Sequence, residues 1–308
     1  NVEKYTEWEG DEQFIEDVMR FLDNALQDFI DQAPPEFKNA TYAAMRERSV
    51  GLGVMGFHSF MQANGIPLEG VMANVWNRRM FKHIRKQADA ASVKLAKERG
   101  ACPDAADYGI EERFSNKLSL APTASISIIC GGTSPGIEPI AANSFTHKTL
   151  SGSFTVRNRH LKELLEAKGK NDDETWSSIV SHEGSVQHLD FLTDLEKDVY
   201  KTAFELDQRW LIDLAADRAP EVCQAQSLNV FLSADIHKKD LHQIHYQAWK
   251  KGVKSLYYCR SKSMQRSESV ALGGGGAVTS LPHLGRVNSK DQPAVAESND
   301  YEECLSCQ

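Results

Sequence analysis

The chain is expected to adopt an α/β fold, and three stretches carry that expectation. Residues 226–232 read as a strand, 235–251 as an amphipathic helix closed by Gly252, and 253–258 as the next strand. Strand, helix and strand at that spacing make a βαβ unit, whose two strands run parallel. A second stretch, Leu118 to Ala121, reaches Pro122, which cannot continue a ladder of backbone bonds. Thr123, Ala124 and Ser125 follow, then Ile126, Ile128 and Ile129, so this reads as a buried strand that turns abruptly into a helix. The third, residues 48–57 (RSVGLGVMGF), is apolar with glycines at 51, 53 and 56. It reads as a buried strand to which another backbone or a ligand comes close.

The other elements follow in chain order. Residues 11–31 place Phe14, Val18, Phe21, Leu22, Ala25 and Phe29 at helical spacing, with Asp11 and Glu12 where the helix dipole favours acids. Pro34 and Pro35 end that helix. The GxGxxG spacing of Gly51, Gly53 and Gly56 does not mark a dinucleotide site, because it lies inside the apolar run and not after a strand. Residues 69–100 form a long helix with Gly100 at its C-terminal cap, and 104–114 is loop-like. Residues 130–139, CGGTSPGIEP, form a compact loop that needs tight or left-handed backbone. Weak alternation over 145–157 is compatible with a hairpin. Helical patterns recur over 161–167 and 194–216, with 182–187 irregular between them. Beyond Arg260 periodicity ceases and Ser, Gly, Asn and acids dominate, so 1–260 is read as one domain and 261–308 as a flexible tail.

A chain of 308 residues can bury a substantial core, and its formal charge of -8 is modestly acidic. No basic patch is dense enough for a nucleic-acid polymer, and no apolar run is long enough to span a bilayer. A soluble, cytoplasmic protein is expected. Six cysteines, at 102, 130, 223, 259, 304 and 307, form neither a secreted disulfide framework nor a four-cysteine zinc site. Cys102, Cys130 and Cys223 read as small buried hydrophobes. Asp213, Asp217 and Glu205 fall in a helical pattern without an accompanying E-x-x-H, so a solvated face is expected and no metal site. Glu138, between Ile and Pro, is read as tying down backbone amides. The first residue is Asn1, which suggests a fragment or a processed product.

By itself the turn at 122–126 has two readings. Orphan amides and hydroxyls at a helix N-terminus form an anion site, most often for phosphate. An ordinary Ser/Thr helix cap uses the same residues. Tyr257 and Tyr258 alone read as a half-buried aromatic pair.

Four features, in this order along the chain, resemble one family, the large catalytic subunit of class I ribonucleotide reductase. They are RSVGLGVMGFHSF with KERGACP, the LAPTASIS turn with its GGTSPGIEP loop, Leu256-Tyr257-Tyr258, and a CxxC at the extreme C-terminus. The likeness covers most of this chain but only part of the family's length. It implies the C-terminal part of that family's ten-stranded α/β barrel, with the turn and the tyrosine strand facing a common centre at strand C-termini.

The resemblance also implies roles. Pro122, Thr123, Ala124, Ser125 and Ile126 would hold the substrate diphosphate through backbone amides and two hydroxyls. Tyr258 would take the oxidising equivalent from the small subunit and Tyr257 would pass it on. Cys259 would be a bystander. Cys304 and Cys307 would be a swinging dithiol, reduced in turn by thioredoxin or glutaredoxin. Glu302 and Glu303 beside them should raise their thiol pKa values.

No N-L-C-x-E pattern occurs, so the thiyl-radical cysteine is expected on a separate N-terminal portion, whether the chain is truncated or half of a split subunit. This chain is expected to bind no cofactor, the di-metal centre and tyrosyl radical belonging to the small subunit. The implied reaction is radical reduction of ribonucleoside diphosphates, which supplies deoxyribonucleotides. Rival readings are a cobalamin-dependent reductase, which has no need of the tyrosine pair, and a non-catalytic fragment that only docks onto other subunits.

Overall fold

The computed structural model describes residues 1–149 and 152–261. Four extended segments run parallel, side by side, and form the frame. Residues 50–52 pair with 116–119 through Val50 N–H to Asn116 O, Leu52 N–H to Lys117 O and Ser119 N–H to Leu52 O. Residues 118–120 pair with 224–227 through Gln224 N–H to Leu118 O, Leu120 N–H to Ala225 O and Ser227 N–H to Leu120 O. The third segment runs on to residue 232, and its residues 228–232 pair with 257–261, where the regular strands lie. Each parallel step needs a crossover, and the helices supply it.

In chain order the helices begin with α1 (Tyr5–Trp8), α2 (Phe14–Gln32), α3 (Lys38–Glu47), α4 (Phe57–Ala63), α5 (Val71–Arg99) and α6 (Pro103–Ala106). The short α7 (Ala124–Ile129) precedes an antiparallel hairpin, β1 (Ser144–Thr149) with β2 (Gly152–Arg157). Then come α8 (Arg159–Ala167), α9 (Asp173–Ser181), α10 (Asp194–Val199) and α11 (Gln208–Arg218). The chain re-enters the frame as β3 (Val230–Leu232), crosses over through α12 (Lys238–Lys250) and returns as β4 (Cys259–Ser261). The predicted βαβ unit is therefore present, with β3 and β4 parallel, but its second regular strand is β4 and not 253–258. The expected hairpin and the Gly100 cap, at φ 89°, are present too.

Several expectations need correction. On α2 the buried residues are Ile15, Met19 and Asp23, whereas Phe14, Phe21 and Phe29 are exposed. The core lies one residue around the helix from the aromatic spacing. Residues 48–57 are not a regular strand. They make one bridge at Leu52, turn at Gly56 (φ 86°) and enter α4. The close approach is real, since a Cβ on Gly53 would stand 2.5 Å from Ser119 O.

The pattern over 194–216 is two helices, because each has its own cap. Thr193 and Glu196 form a capping box for α10, and Asp207 accepts from Arg209 N–H at the start of α11. Helix α9, started by Asp172 accepting from Thr175 N–H, has no counterpart in the expected elements.

Apolar residues of the frame, α2, α4, α5, α11 and α12 share the main core. A smaller core, around Trp176, Ile179, Leu161 and Leu165, holds α8, α9 and α10 together. Asn143 joins this lobe to the rest, donating to Gly184 O and Tyr200 O.

Under α2 lies an ionic node. Asp23, fully buried, accepts from Arg48 (2.6 Å), Arg99 (2.7 Å) and Arg113 (3.0 Å). Burial pushes its carboxyl up, but the hydrogen bonds from the three arginines outweigh that and hold it below the ordinary range. The node ties α2 to Arg48 just after α3, to the end of α5 and to the loop at Arg113. No described helix is long and apolar enough to cross a membrane.

Candidate active site

The turn after Leu120 is held from outside itself. Thr123 takes a left-handed conformation, φ 54°, uncommon for a threonine. Its hydroxyl makes no cap bond to α7. It accepts instead from Gly136 N–H at 2.7 Å, in the following loop. Gly136 is itself left-handed (φ 49°), and a Cβ there would stand 3.0 Å from Ala121 O. Only glycine lets the loop lie this close to the turn. Ser127, buried, closes the turn by donating to Ala124 O. The first-turn amides of α7 are thus left without a side-chain cap, and Ser125 stands exposed beside them. The ordinary-cap reading does not describe this turn. Ile126, Ile128 and Ile129 are exposed, so α7 presents an apolar surface outward.

Tyr257 and Tyr258 lie inside the paired segment just before β4, not at a strand C-terminus as expected. Tyr257 N–H donates to Leu228 O, and Tyr258 O accepts from Val230 N–H, so pairing runs through both. Their rings are 4.1 Å apart between centroids, their hydroxyls 3.5 Å apart, and each residue is about half exposed. The Arg260 guanidinium lies over the Tyr258 ring at 5.5 Å.

Register brings the two elements level. Leu120 bridges Gln226, and Thr123 and Asn229 each lie three residues further on. Asn229 is the residue that sequence reasoning missed. Its N–H and Nδ2 donate to the two oxygens of Glu138 at 2.8 and 3.1 Å, and its Oδ1 accepts from Tyr258 N–H at 2.9 Å. The signal was an amide within the apolar run 226–232, since a buried polar side chain there must have partners. Glu138 ties down a backbone amide as expected, accepting from Asn229 N–H. Burial pushes its carboxyl above the ordinary range, although the Asn229 donors and the distant Arg260 pull the other way.

Other expected residues fall elsewhere. Cys304 and Cys307, with the tail from 262, lie outside the described residues. Cys102 is buried as expected, but Cys130 is exposed just after α7, and Cys223 is half-buried, accepting from Lys117 and Leu118 N–H. Cys130 escapes burial because α7 carries it outward. Asp217 pairs with Arg78, and Asp213 with Lys251. Glu205 lies before α11, not on it, and accepts from Thr202 N–H. Among the described residues no three His, Cys, Asp or Glu side chains converge as a metal site.

A family model, ribonucleotide reductase, barrel domain, matches residues 1–112 and 104–259. The chain is 46% identical over 275 residues to the ribonucleoside-diphosphate reductase large subunit of Invertebrate iridescent virus 6, covering 88% of this chain and 28% of that protein. It is 38% identical to a putative large subunit of Frog virus 3, over 100% of this chain and 51% of that protein. The structure is similar to the Actinobacillus ureae class Id ribonucleotide reductase alpha subunit, with a TM-score of 0.79 and 37% identity, covering 85% of this chain and 48% of that one. The chain thus spans about half or less of the length of these relatives.

Proposed function

The chain belongs to the ribonucleotide reductase barrel-domain family, and from that premise we propose that it forms part of a ribonucleoside-diphosphate reductase large subunit. In this reading the uncapped amides of residues 124–126, with the hydroxyls of Thr123 and Ser125, bind the substrate diphosphate. A helix N-terminus offers dipole and donors to an anion without a lysine. The observation that carries the reading is the Thr123 hydroxyl, bound to Gly136 N–H and not to the helix it precedes.

Tyr258 and Tyr257 then relay an oxidising equivalent. A phenol loses an electron and a proton together, and two rings 4.1 Å apart keep the hop short. The equivalent would arise in a separate small subunit carrying a di-metal centre and a tyrosyl radical. It would pass to a thiyl cysteine outside this chain, on an N-terminal portion. Net reduction replaces the ribose 2′-hydroxyl by hydrogen, releases water and oxidises a dithiol to a disulfide. Cys304 and Cys307 would return that disulfide to the dithiol by exchange and be restored by thioredoxin or glutaredoxin.

The test is CDP reduction by this chain alone, and mixed with an N-terminal portion and the small subunit, with dithiothreitol as reductant. Turnover is expected only in the full mixture, and Tyr257→Phe or Tyr258→Phe should abolish it while folding survives. Substantial turnover in both variants would sink the relay. Turnover by the chain alone would show that the thiyl cysteine is misplaced.

A further inference from the structure

Building on the reading of Tyr258 as a relay residue, we propose that Glu138 and Asn229 are a positioning pair holding Tyr258 in register with the Thr123 turn. Both side chains are buried, at 6% and 3% exposure. A carboxylate only accepts, so the Asn229 NH2 must face Glu138 and its Oδ1 must face Tyr258 N–H. The amide therefore has one orientation, and the three bonds form a directed chain from Glu138 to the Tyr258 backbone. At its other end the chain continues through the loop, since Gly136, two residues before Glu138, donates to Thr123 Oγ1. One strut thus touches both the anion turn and the tyrosine pair.

The composition of the strut argues that it is there for position. Among the described residues no Lys or Arg forms an ion pair with Glu138, so burial of its charge is met only by the Asn229 donors and by Arg260 at a distance. Such a group is costly to bury, and an apolar pair would be the simpler filling. What an apolar pair could not supply is an acceptor at a fixed place for Tyr258 N–H. A relay depends on the separation of its groups, and small displacements of a reacting group lower rates steeply.

The test exchanges acid and amide. In Glu138→Gln, one oxygen is left for two donors, so an NH2 faces either the Asn229 NH2 or the Asn229 N–H. In Asn229→Asp, two carboxylates face each other. In the double variant the new side-chain amide at position 138 can donate to the new carboxylate at position 229. That carboxylate can still accept from Tyr258 N–H, so all three bonds can form again. The full chain would carry 3-fluorotyrosine at position 258 and be read by 19F NMR.

Each single variant should move or broaden the 258 resonance, and the double should return it. In the assembled reductase each single should lower kcat about tenfold with KM for CDP changed by less than about twofold, and the double should recover kcat. Asn229→Ala, which removes the acceptor without adding charge, should displace the resonance as the singles do. An unmoved 258 resonance in the folded singles would overturn the proposal, as would a defect the double leaves unrepaired. The fluorine readout needs no turnover, so a relay that fails the Tyr258→Phe test is told apart from a strut that fails this one.

Discussion

Asp23 and Glu138 are both buried carboxylates, and their surroundings set them in opposite directions. Asp23 meets three arginines, and its carboxyl is held below the ordinary range. Among the described residues Glu138 accepts side-chain hydrogen bonds only from the N–H groups of one asparagine, with Arg260 at a distance, and burial pushes it above that range. The first arrangement ties four parts of the chain together. The second is a poor way to gain stability and a good way to fix one backbone amide. The difference shows that a buried charge must be judged by its partners before it is assigned to fold or to function.

The largest effect should come from breaking the ionic node. Asp23→Ala leaves Arg48, Arg99 and Arg113 without their shared carboxylate. Removing one partner of a buried pair costs about 3–5 kcal/mol, to be read from urea denaturation. A loss below about 1 kcal/mol would place the node among ordinary surface pairs.

A middle-sized effect, opposite in sign at the two sites, should appear in the pH dependence of stability. Asp23 has a lowered pKa, so its contribution is present above 3.8 and is lost as pH falls further. Glu138 has a raised pKa, so the folded state holds its proton more tightly and gains stability as pH falls from that raised value towards 4.5. Acidification should therefore shift the comparison against wild type relative to Asp23→Asn. It should shift it in favour of wild type relative to Glu138→Gln. Thermal midpoints across pH measure both, and slopes of the same sign would break the contrast.

The smallest effect belongs to a pairing of the same chemistry in water. Arg46 reaches both Asp104 and Asp107, but all three side chains are open to solvent. Arg46→Ala should leave the urea midpoint within error of wild type, because exposed ion pairs are screened and hold long side chains at an entropic cost. A clear loss would mean that charge number, and not burial, governs these clusters.

Much of the site was legible because its signals are local. The proline at 122, the glycines at 131, 132 and 136, and the adjacent tyrosines each constrain their own few residues. The structure places the first two groups in a turn and a left-handed loop, as expected. The strand ends were less legible. The paired run continues through Tyr257 and Tyr258 into β4, because pairing follows the neighbouring segment and not the apolar run alone. On α2, Phe14, Phe21 and Phe29 suggested the wrong face, since helical spacing shows that a stripe exists but not which neighbour covers it.

By itself the sequence determined the α/β class, a parallel unit read over 226–258, an abrupt turn after Leu120 and the family resemblance. Each rests on residues close together in the chain or on motifs in a fixed order. Only the tertiary structure decided that Asp23 collects three arginines, that Thr123 bonds to the loop and not to its own helix, and that Glu138 reaches Tyr258 through Asn229. Those contacts join residues as many as 91 positions apart, and hydrogen-bond geometry at that range leaves no periodic trace in the chain. It exists only once the parallel segments have set their register.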